Sequence, residues 1–253
     1  MMVSASLKLV GTITSNGQGH TEGSGDGKGN TPTPSNYNRY YASNYRVSGS
    51  GGHGGNGANA CYRYSTGYGS IPSGGGSYGN SSVPRTFGSG GGRSCYSSSD
   101  RQYYGSGGVG GGRIWMTATL IEIASGATVS ADGTHGASYH ESSYGSDGGG
   151  SGGSILIEAL NVSESGTVRA RGGASLGGSG GGGGGRVAIK AGAVSSQLAL
   201  SVDGGSTSTG YLCSGLFGSL LACPFNSRSF DGNFVVSSCI CKLDPQVQME
   251  ALV

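Results

Sequence analysis

Short stretches of this chain alternate apolar and polar residues, and the same pattern recurs along the sequence. Residues 113–133, 154–173 and 186–205 each show it, and residues 6–19 match its second half. Alternation with a period of two predicts β-strands that bury one face and expose the other. The side chains expected to point inward are Leu7, Leu9, Ile13, Ile114, Met116, Leu120 or Ile121, Ile123, Val129, Ile155, Ile157, Leu160, Val162, Val168, Val187, Ile189, Val194, Leu198, Leu200 and Val202. Those expected to point outward are Glu122, Glu158, Arg169, Arg171, Lys190 and Asp203.

The recurrence of this pattern predicts a repeat architecture. The units share the order of a Gly-rich run, an apolar strand, a short link, and a second short apolar segment followed by Gly; this segment begins with Gly-Thr-Ile at residues 11–13 and with Gly-Thr-Val at residues 166–168. No unit has helical periodicity. The pattern therefore predicts an all-β fold of parallel β-helix or β-solenoid-like coils with Gly-rich turns, stacked about 4.8 Å apart. We assign residues 1–205 to this domain, residues 20–112 to a long Tyr/Gly-rich insertion between coils, and residues 206–253 to a small Cys-rich, disulfide-held C-terminal segment.

Glycine dominates the segments between the predicted strands, with 56 glycines in 253 residues. Glycine accommodates corners that need positive φ, and its lack of a side chain also lets backbones approach closely. We expect runs such as residues 180–185 to adopt extended polyproline-II geometry and to pack flat against one another.

The low charge of the chain argues against two interpretations, a chain kept unfolded by charge repulsion and a nucleic-acid-binding protein. The net charge is only +2 and charged residues make up 11% of the chain, so charge repulsion does not keep it open. The weak basicity also argues against nucleic acid as a partner. No stretch approaches the roughly 18 continuous apolar residues of a transmembrane helix, so we predict no membrane span.

The cysteines indicate an oxidising compartment. An even number of cysteines in a Gly/Ser/Tyr-rich chain favours disulfides and an extracellular or cell-surface location. Position favours pairing of the first two and pairing of the other four among themselves, but six cysteines allow many connectivities. The predicted disulfide residues are Cys61, Cys95, Cys213, Cys223, Cys239 and Cys241.

Two further features bear on location. Asn80 and Asn161 begin Asn-x-Ser sequons and are candidate N-glycosylation sites. The first residues, MMVSASLKLVG, lack the charged and apolar regions of a signal peptide. We therefore expect either that the true N-terminus lies upstream or that the chain is a processed piece.

Four motifs in a fixed order carry a resemblance to a known family. GHGG at residues 52–55 is followed by YGS at 68–70, VPRTFGSGGG at 83–92 and GGVGGGRIWMTA at 107–118. This order resembles a family of glycine-rich repeat proteins from cell surfaces of algae, plants and bacteria. The resemblance covers about residues 5–205 and implies a β-helix-like stalk or surface domain, as in shaft proteins of algal tubular flagellar hairs (mastigonemes). It implies no catalytic residue set.

The C-terminal residues 223–246 resemble the small Cys-rich modules of extracellular receptors. The C-x-x-C of those modules is replaced here by C-I-C at Cys239 and Cys241. We expect a short disulfide-held segment that forms an interface.

Tyrosine is concentrated in the predicted insertion. Tyrosine buries a large ring and keeps a polar tip, which suits interfaces. Neighbouring arginines, Arg39, Arg46, Arg63 and Arg101, are positioned to stack on such rings. The candidate interface residues are Tyr37, Tyr40, Tyr41, Tyr62, Tyr64, Tyr103 and Tyr104.

Candidate catalytic and metal-binding residues have structural interpretations that fit better. We predict no enzyme, cofactor or metal, because no G-x-S-x-G has a convincing partner and no zinc spacing or calcium nonapeptide is present. His53 is expected to make a structural hydrogen bond, and the loop carboxylates are expected to be solvated. The segments GSGDGKGN (23–30) and YGSDGGGSGG (144–153) are expected to be structural turns. The residues considered for chemistry are Asp132, His135, His140, Glu141 and Asp147.

Two binding functions are also disfavoured. RNA binding through Arg/Gly/Tyr segments normally uses RGG clusters, which are absent. Ice binding by a flat face normally uses regular threonine rows, and only Thr12, Thr128 and Thr167 form a short candidate row.

A stack of coils exposes strand edges at both ends unless capping elements cover them. We see no amphipathic capping helix in the sequence, and the first unit begins in mid-coil at Leu7. The sequence therefore predicts a structural subunit of an extracellular filament or surface appendage, which binds copies of itself through open solenoid ends and Tyr/Cys-rich contacts. The alternative is a monomeric cell-surface module that binds glycans or acts as an adhesin.

Overall fold

The computed structural model describes residues 5–31, 44–60, 71–97, 102–137, 147–207 and 214–224. Within these ranges the regular elements are all strands. They are β1 (Ser6–Leu9), β2 (Thr12–Thr14), β3 (Asn44–Arg46), β4 (Cys95–Ser97), β5 (Gln102–Tyr104), β6 (Arg113–Ile123), β7 (Thr128–Ser130), β8 (Ser154–Ser163), β9 (Thr167–Arg169), β10 (Arg186–Val194), β11 (Ala199–Ser201) and β12 (Ser219–Pro224).

Two parallel sheets stack the repeated units in register. The first sheet has the order β1-β6-β8-β10-β12 and the second the order β2-β7-β9-β11. Each predicted repeat contributes one long strand to the first sheet and one short strand to the second. The predicted all-β class with parallel strands is therefore confirmed. We number the layers in stacking order: layer 1 holds β1 and β2, layer 2 β6 and β7, layer 3 β8 and β9, layer 4 β10 and β11, and layer 5 β12.

Apolar ladders between the layers form the core. Ile114, Ile155, Val187 and Leu220 occupy one register position in four successive layers. A second ladder in the short sheet runs through Ile13, Val129, Val168 and Leu200. Ile121, Ile155, Val129 and Val168 are completely buried, so the predicted inward face is confirmed in these strands.

The predicted core residue Leu160 lies on the surface at a corner of β8. Leu160 is 56% exposed, and its register position is skipped in the pairing of β8 with both β6 and β10. The inward positions are Ile155, Ile157 and Ala159 before this point and Val162 after it. Strand β8 therefore bends at residues 160–161, where two consecutive side chains face outward. Before this bend the odd-numbered side chains face inward, and after it the even-numbered ones do.

A glycine-rich region continues from the strand layers. Gly108 and Gly111 donate backbone hydrogen bonds to Gly148 and Ser151, each with an N···O distance of 2.8 Å. A partner every third residue matches the three-residue turn of polyproline II. The glycines of the runs touch directly: a Cβ on Gly153 would lie 1.8 Å from the carbonyl oxygen of Gly112. The predicted flat packing of glycine runs is confirmed by these contacts.

The described parts of residues 20–112 belong to this glycine-rich region. Gly51 donates to the carbonyl oxygen of Gly149 at 2.9 Å and accepts from the N–H of Gly183 at 2.8 Å. Gly91 donates to the carbonyl oxygen of Gly108 at 2.8 Å. These glycine runs therefore pack against the segments that lead into β6, β8 and β10. Strands β3, β4 and β5 form a separate antiparallel sheet.

Candidate functional site

The first candidate site is the edge of the stack at layer 1, called the lower end. Strand β1 pairs only with residues 120–123 of β6. Residues 113–118 of β6 pair with β8 on one side, and no described strand pairs with them on the other. Trp115 is 59% exposed on this segment. The lower end is therefore a step, with half of the first sheet one layer shorter than the other half.

The backbone of this step points its hydrogen-bonding groups away from the molecule. The N–H of Ser154 donates to the carbonyl oxygen of Gly112 at 3.0 Å, so the even-numbered residues between 112 and 118 face β8. The N–H of Thr119 donates to the carbonyl oxygen of Ala5 at 2.9 Å, on the opposite side. N–H and C=O groups alternate direction along a strand. Those of Arg113, Trp115 and Thr117 therefore face the open side.

The second candidate site is the edge at layer 5, called the upper end. Strand β12 pairs with residues 186–191 of β10. Above residues 193–194 of β10 and above β11, no described strand continues the sheets. The N–H of Ser219 donates to Gly185 at 3.1 Å, so Leu220 and Ala222 direct their backbone groups away from the molecule. Pro224 has no N–H to offer on this edge.

Exposed apolar side chains accompany both edges. Leu7, Val10 and Trp115 are exposed at the lower end, and Leu216 and Phe217 at the upper end, with exposed fractions between 37% and 74%. Open strand edges beside exposed apolar residues are typical of surfaces that bind another chain. The two ends are therefore the candidate functional site.

A buried polar cluster supports the upper end from below. His53 is completely buried, and its Nδ1 lies 2.8 Å from the carbonyl oxygen of Gly152. Because a carbonyl only accepts, Nδ1 carries the proton, and Nε2 accepts from the hydroxyl of Thr86 at 2.7 Å. Burial lowers the pKa of His53 to about 4. The prediction that His53 makes a structural hydrogen bond is confirmed.

Arg186 connects this cluster to the upper strand. Its Nε donates to the carbonyl oxygen of Tyr78 at 2.9 Å and its Nη1 to the hydroxyl of Ser219 in β12 at 2.8 Å. The Tyr78 ring lies 4.8 Å from the His53 ring, and burial raises the pKa of Tyr78 to about 12. Arg186 was not predicted from the sequence, because a single arginine at the start of a strand gives no sign that it will be buried.

The expectation of solvated loop carboxylates is wrong for Asp147. This residue is completely buried, and its two oxygens accept from the backbone N–H groups of Ser94 and Ser106. Burial raises the pKa of Asp147, although these two donors act in the opposite direction. The carboxylate thus serves as a structural acceptor where glycine-rich segments meet.

Asp132 is half-buried and has structural partners. It forms an ion pair with Arg169 at 2.9 Å and accepts from the N–H of Arg171 at 2.8 Å. Burial raises its pKa, against the effect of these cationic and hydrogen-bonding partners. Glu141 and His140 lie outside the described residues. His135 is exposed, and its Nδ1 accepts from the N–H of Ala174 at 2.8 Å.

The segment at residues 23–30 forms turns as expected, whereas the described part of the second segment, residues 147–153, has no turn and belongs to the packed glycine runs. Gly23 and Gly25 have φ values of 61° and 96°, and the N–H of Lys28 donates to Gly25 at 3.2 Å. Among the residues that the structure describes, no group of three His, Cys, Asp or Glu side chains could hold a metal ion. In the same part of the chain there is no long apolar helix that could cross a membrane.

The threonine row considered for ice binding does form. Thr12, Thr128 and Thr167 are opposite one another in β2, β7 and β9, and the next residue in the row is Ala199. The row is therefore three residues long within the described strands.

Most of the predicted interface and disulfide residues cannot be placed. Cys95 falls in β4 opposite Arg46 and Tyr104, and Cys223 falls in β12. Tyr103 and Tyr104 fall in β5. Disulfide pairing and the tyrosine interface stay predictions. The predicted residues that lie outside the described ranges are Cys61, Cys213, Cys239, Cys241, Tyr37, Tyr40, Tyr41, Tyr62 and Tyr64.

Both sequon asparagines are exposed. The Asn80 side-chain oxygen accepts from the N–H groups of Ser82 and Val83 at 2.8 and 3.0 Å, which forms a tight turn. Asn161 lies next to the corner of β8. Glycosylation at either site stays a prediction.

Comparison of the chain with known protein families, with curated proteins and with solved structures finds no match.

Proposed function

We propose that the chain folds as a β-solenoid and serves as a structural subunit of an extracellular filament or surface appendage. The observation that carries this proposal is the pair of sheet edges, one at each end of the stack, that no described strand covers. Each edge presents strand backbone without a described strand beside it, together with exposed apolar side chains. A second copy of the chain offers parallel strands of matching chemistry to both edges, so association can continue from molecule to molecule.

The interior suits a mechanical role. Glycine runs that hydrogen-bond at every third residue and have no room for a Cβ at most of their positions have few alternative arrangements. The ladders of β-branched side chains add a packed core beside them. Both features support a stiff unit that transmits load along the stacking direction.

The extracellular location rests on the sequence. Six cysteines, two exposed sequon asparagines and the ordered glycine-rich motifs support it. In this proposal the tyrosine-rich segments and the Cys-rich tail make lateral contacts between neighbouring copies.

One observation favours a monomeric glycan-binding module as a second candidate. Trp115 is an exposed aromatic ring, its Nε1 donates to Glu158 at 3.0 Å, and the Arg85 guanidinium lies 4.8 Å from the ring centroid. An exposed ring beside charged groups is a suitable surface for a sugar. The filament proposal instead places Trp115 within the contact between copies.

Negative-stain electron microscopy and size-exclusion chromatography of purified native material test the proposal. We expect filaments of uniform width, and a concentration-dependent shift from monomer to assembly. A dispersed monomer at micromolar concentration would contradict the filament proposal. Specific glycan-array binding by that monomer, lost in the variant Trp115→Ala, would support the second candidate.

A further inference from the structure

We infer that the two ends of the stack are complementary halves of one shared layer, and that the partner of each end is the opposite end of a second copy. This inference rests on the proposed function and specifies its contact. At the lower end, layer 1 contains β1 and β2, and no described strand lies beside residues 113–118. At the upper end, layer 5 contains β12, and no described strand lies beside residues 193–194 or β11.

The positions without a described strand at one end match the strands that are present at the other end. We call residues that lie opposite one another in successive layers a register column. Strand β12 lies in the same register column as residues 186–191, 154–159 and 113–118. Strand β1 lies in the column of residues 120–123, and β2 lies in the column of β7, β9 and β11. Strand β12 of one copy together with β1 and β2 of the next therefore completes a single layer with every column filled once.

The side chains that this register brings together are compatible. Continuing the observed registers places Leu220 opposite Ile114 and Ala222 opposite Met116, which are all core positions. No two like charges face each other in the shared layer. The other apolar pairs are Leu221 with Trp115, Leu7 with Val194 and Ile13 with Leu200, and the polar or small pairs include Ser219 with Arg113, Ser6 with Ala193, Thr12 with Ala199 and Thr14 with Ser201.

The backbone directions also agree. Leu220 and Ala222 direct their hydrogen-bonding groups upward from β12, while Arg113, Trp115 and Thr117 direct theirs downward from β6, as the bonds of Ser219 and Thr119 require. Parallel strands bond in this alternation. Pro224 removes one donor at the end of the shared strand.

The contact is confined to the two sheets. Phe217 occupies the register position of Gly184 in the layer below, where a Cβ would lie 1.9 Å from the carbonyl oxygen of Val202. The side chain of Phe217 therefore prevents the glycine runs of two copies from packing as closely as they do within one copy.

Disulfide trapping of the double variant Thr12→Cys with Ala199→Cys tests this junction. Within one molecule these residues are three strand spacings apart, about 14 Å, which is too far for a disulfide. In the shared layer they lie opposite each other, within disulfide reach. We expect mild oxidation of the assembled variant to give a ladder of covalent oligomers, with the 12–199 linkage identified by peptide mass spectrometry among the native cysteines.

Three controls accompany this variant. Each single variant alone cannot form the 12–199 linkage. The shifted pair Thr14→Cys with Ala199→Cys separates the two Cα atoms by about 8 Å in the proposed register and should not crosslink. Circular dichroism of the reduced double variant checks that it folds like the unaltered protein.

The possible outcomes distinguish a failure of the proposed contact between copies from a failure of the proposed function. Filaments with the 12–199 linkage support both. Filaments that give no such linkage, or that link the shifted pair equally well, overturn the shared layer and leave the filament subunit in place. Dispersed monomers or closed dimers overturn both.

Discussion

At the residue scale, the glycine-rich region is organised by a few buried polar side chains. His53 bridges Gly152 and Thr86, and Asp147 bridges Ser94 and Ser106. Glycine backbones offer many donors and acceptors but no side chains to position them. These buried groups therefore fix which runs are neighbours, and each keeps its role only in one protonation state.

His53 should make folding stability depend on pH. Its pKa is about 4 in the folded protein against an ordinary value of 6.5, so the unfolded chain binds a proton first as the pH falls. Stability supplied by the neutral ring is complete above pH 6.5 and is lost between pH 6.5 and 4, by about 3 kcal/mol in all. Denaturant unfolding across this range should show the loss, and His53→Gln should flatten it.

The control for this prediction is His135→Gln, which removes an exposed histidine instead of the buried one. The raised pKa values of Asp132 and Asp147 act in the opposite direction, since the folded protein holds protons on them more tightly than the unfolded chain. These carboxyls are present in every variant, so the comparison of slopes remains valid. An unchanged slope in His53→Gln would refute the assignment.

At the element scale, the glycine runs behave as a packed core without side chains. A Cβ on Gly149 would lie 1.9 Å from the carbonyl oxygen of Gly173, whereas a Cβ on Gly76 would meet nothing within 4 Å. Both glycines lie in glycine-rich segments, and neither has positive φ. Their tolerance of a methyl group therefore depends on the neighbouring backbone alone.

The variant Gly149→Ala should be clearly destabilised. Overpacking of this kind costs about 1–3 kcal/mol, and backbone cannot move aside as a flexible side chain can. Gly76→Ala should be neutral or slightly stabilising, because alanine restricts the unfolded chain. Urea unfolding of both variants measures the difference. Equal stabilities would show that the runs are not in close contact.

The sequence predicted the strands better than it predicted their surroundings. Alternation identifies inward residues as long as a strand is straight, and it failed at Leu160 because the corner in β8 shifts the alternation by one. It predicted that glycine runs pack together but not which runs meet, since Gly51 and Gly149 carry no side chain that specifies a partner. The burial of Asp147 was missed for the same reason, because surrounding glycines and serines do not differ from a solvated loop.

The shape of the two ends could not be predicted from the sequence. The absence of a capping pattern and the half unit at residues 6–19 indicated exposed edges. Only the strand register shows that β1 pairs with four residues of β6, and that no described strand lies beside residues 113–118. Pairing register depends on long-range packing, which a single sequence does not reveal.

At the scale of the whole molecule, assembly should depend on backbone groups at the step. The N–H of Thr117 faces the open side and its side chain is exposed. Thr117→Pro removes this donor without breaking a bond to β8, as is tolerated on edge strands. We expect the concentration needed for assembly to rise at least about tenfold, consistent with the loss of about 1.4 kcal/mol or more. Sedimentation at a series of concentrations measures this change.

Thr117→Ala is the matched control, because it removes the hydroxyl and keeps the N–H. It should assemble within about twofold of the unaltered protein. Both variants should melt as monomers within a few degrees of each other, which separates an effect on assembly from an effect on folding. If Thr117→Pro assembles normally, residues 113–118 take no part in the contact.

All strands of the two main sheets run in the same direction, and this gives the molecule a head and a tail that can never be interchanged. A fibre made of such units would be polar, with every subunit in the same orientation along its length. Its two tips would present different chemistry, an aliphatic and tryptophan-bearing step at one and β12 at the other. Growth and loss of subunits would then proceed at unequal rates at the two tips, so a cell could anchor one tip and extend the other.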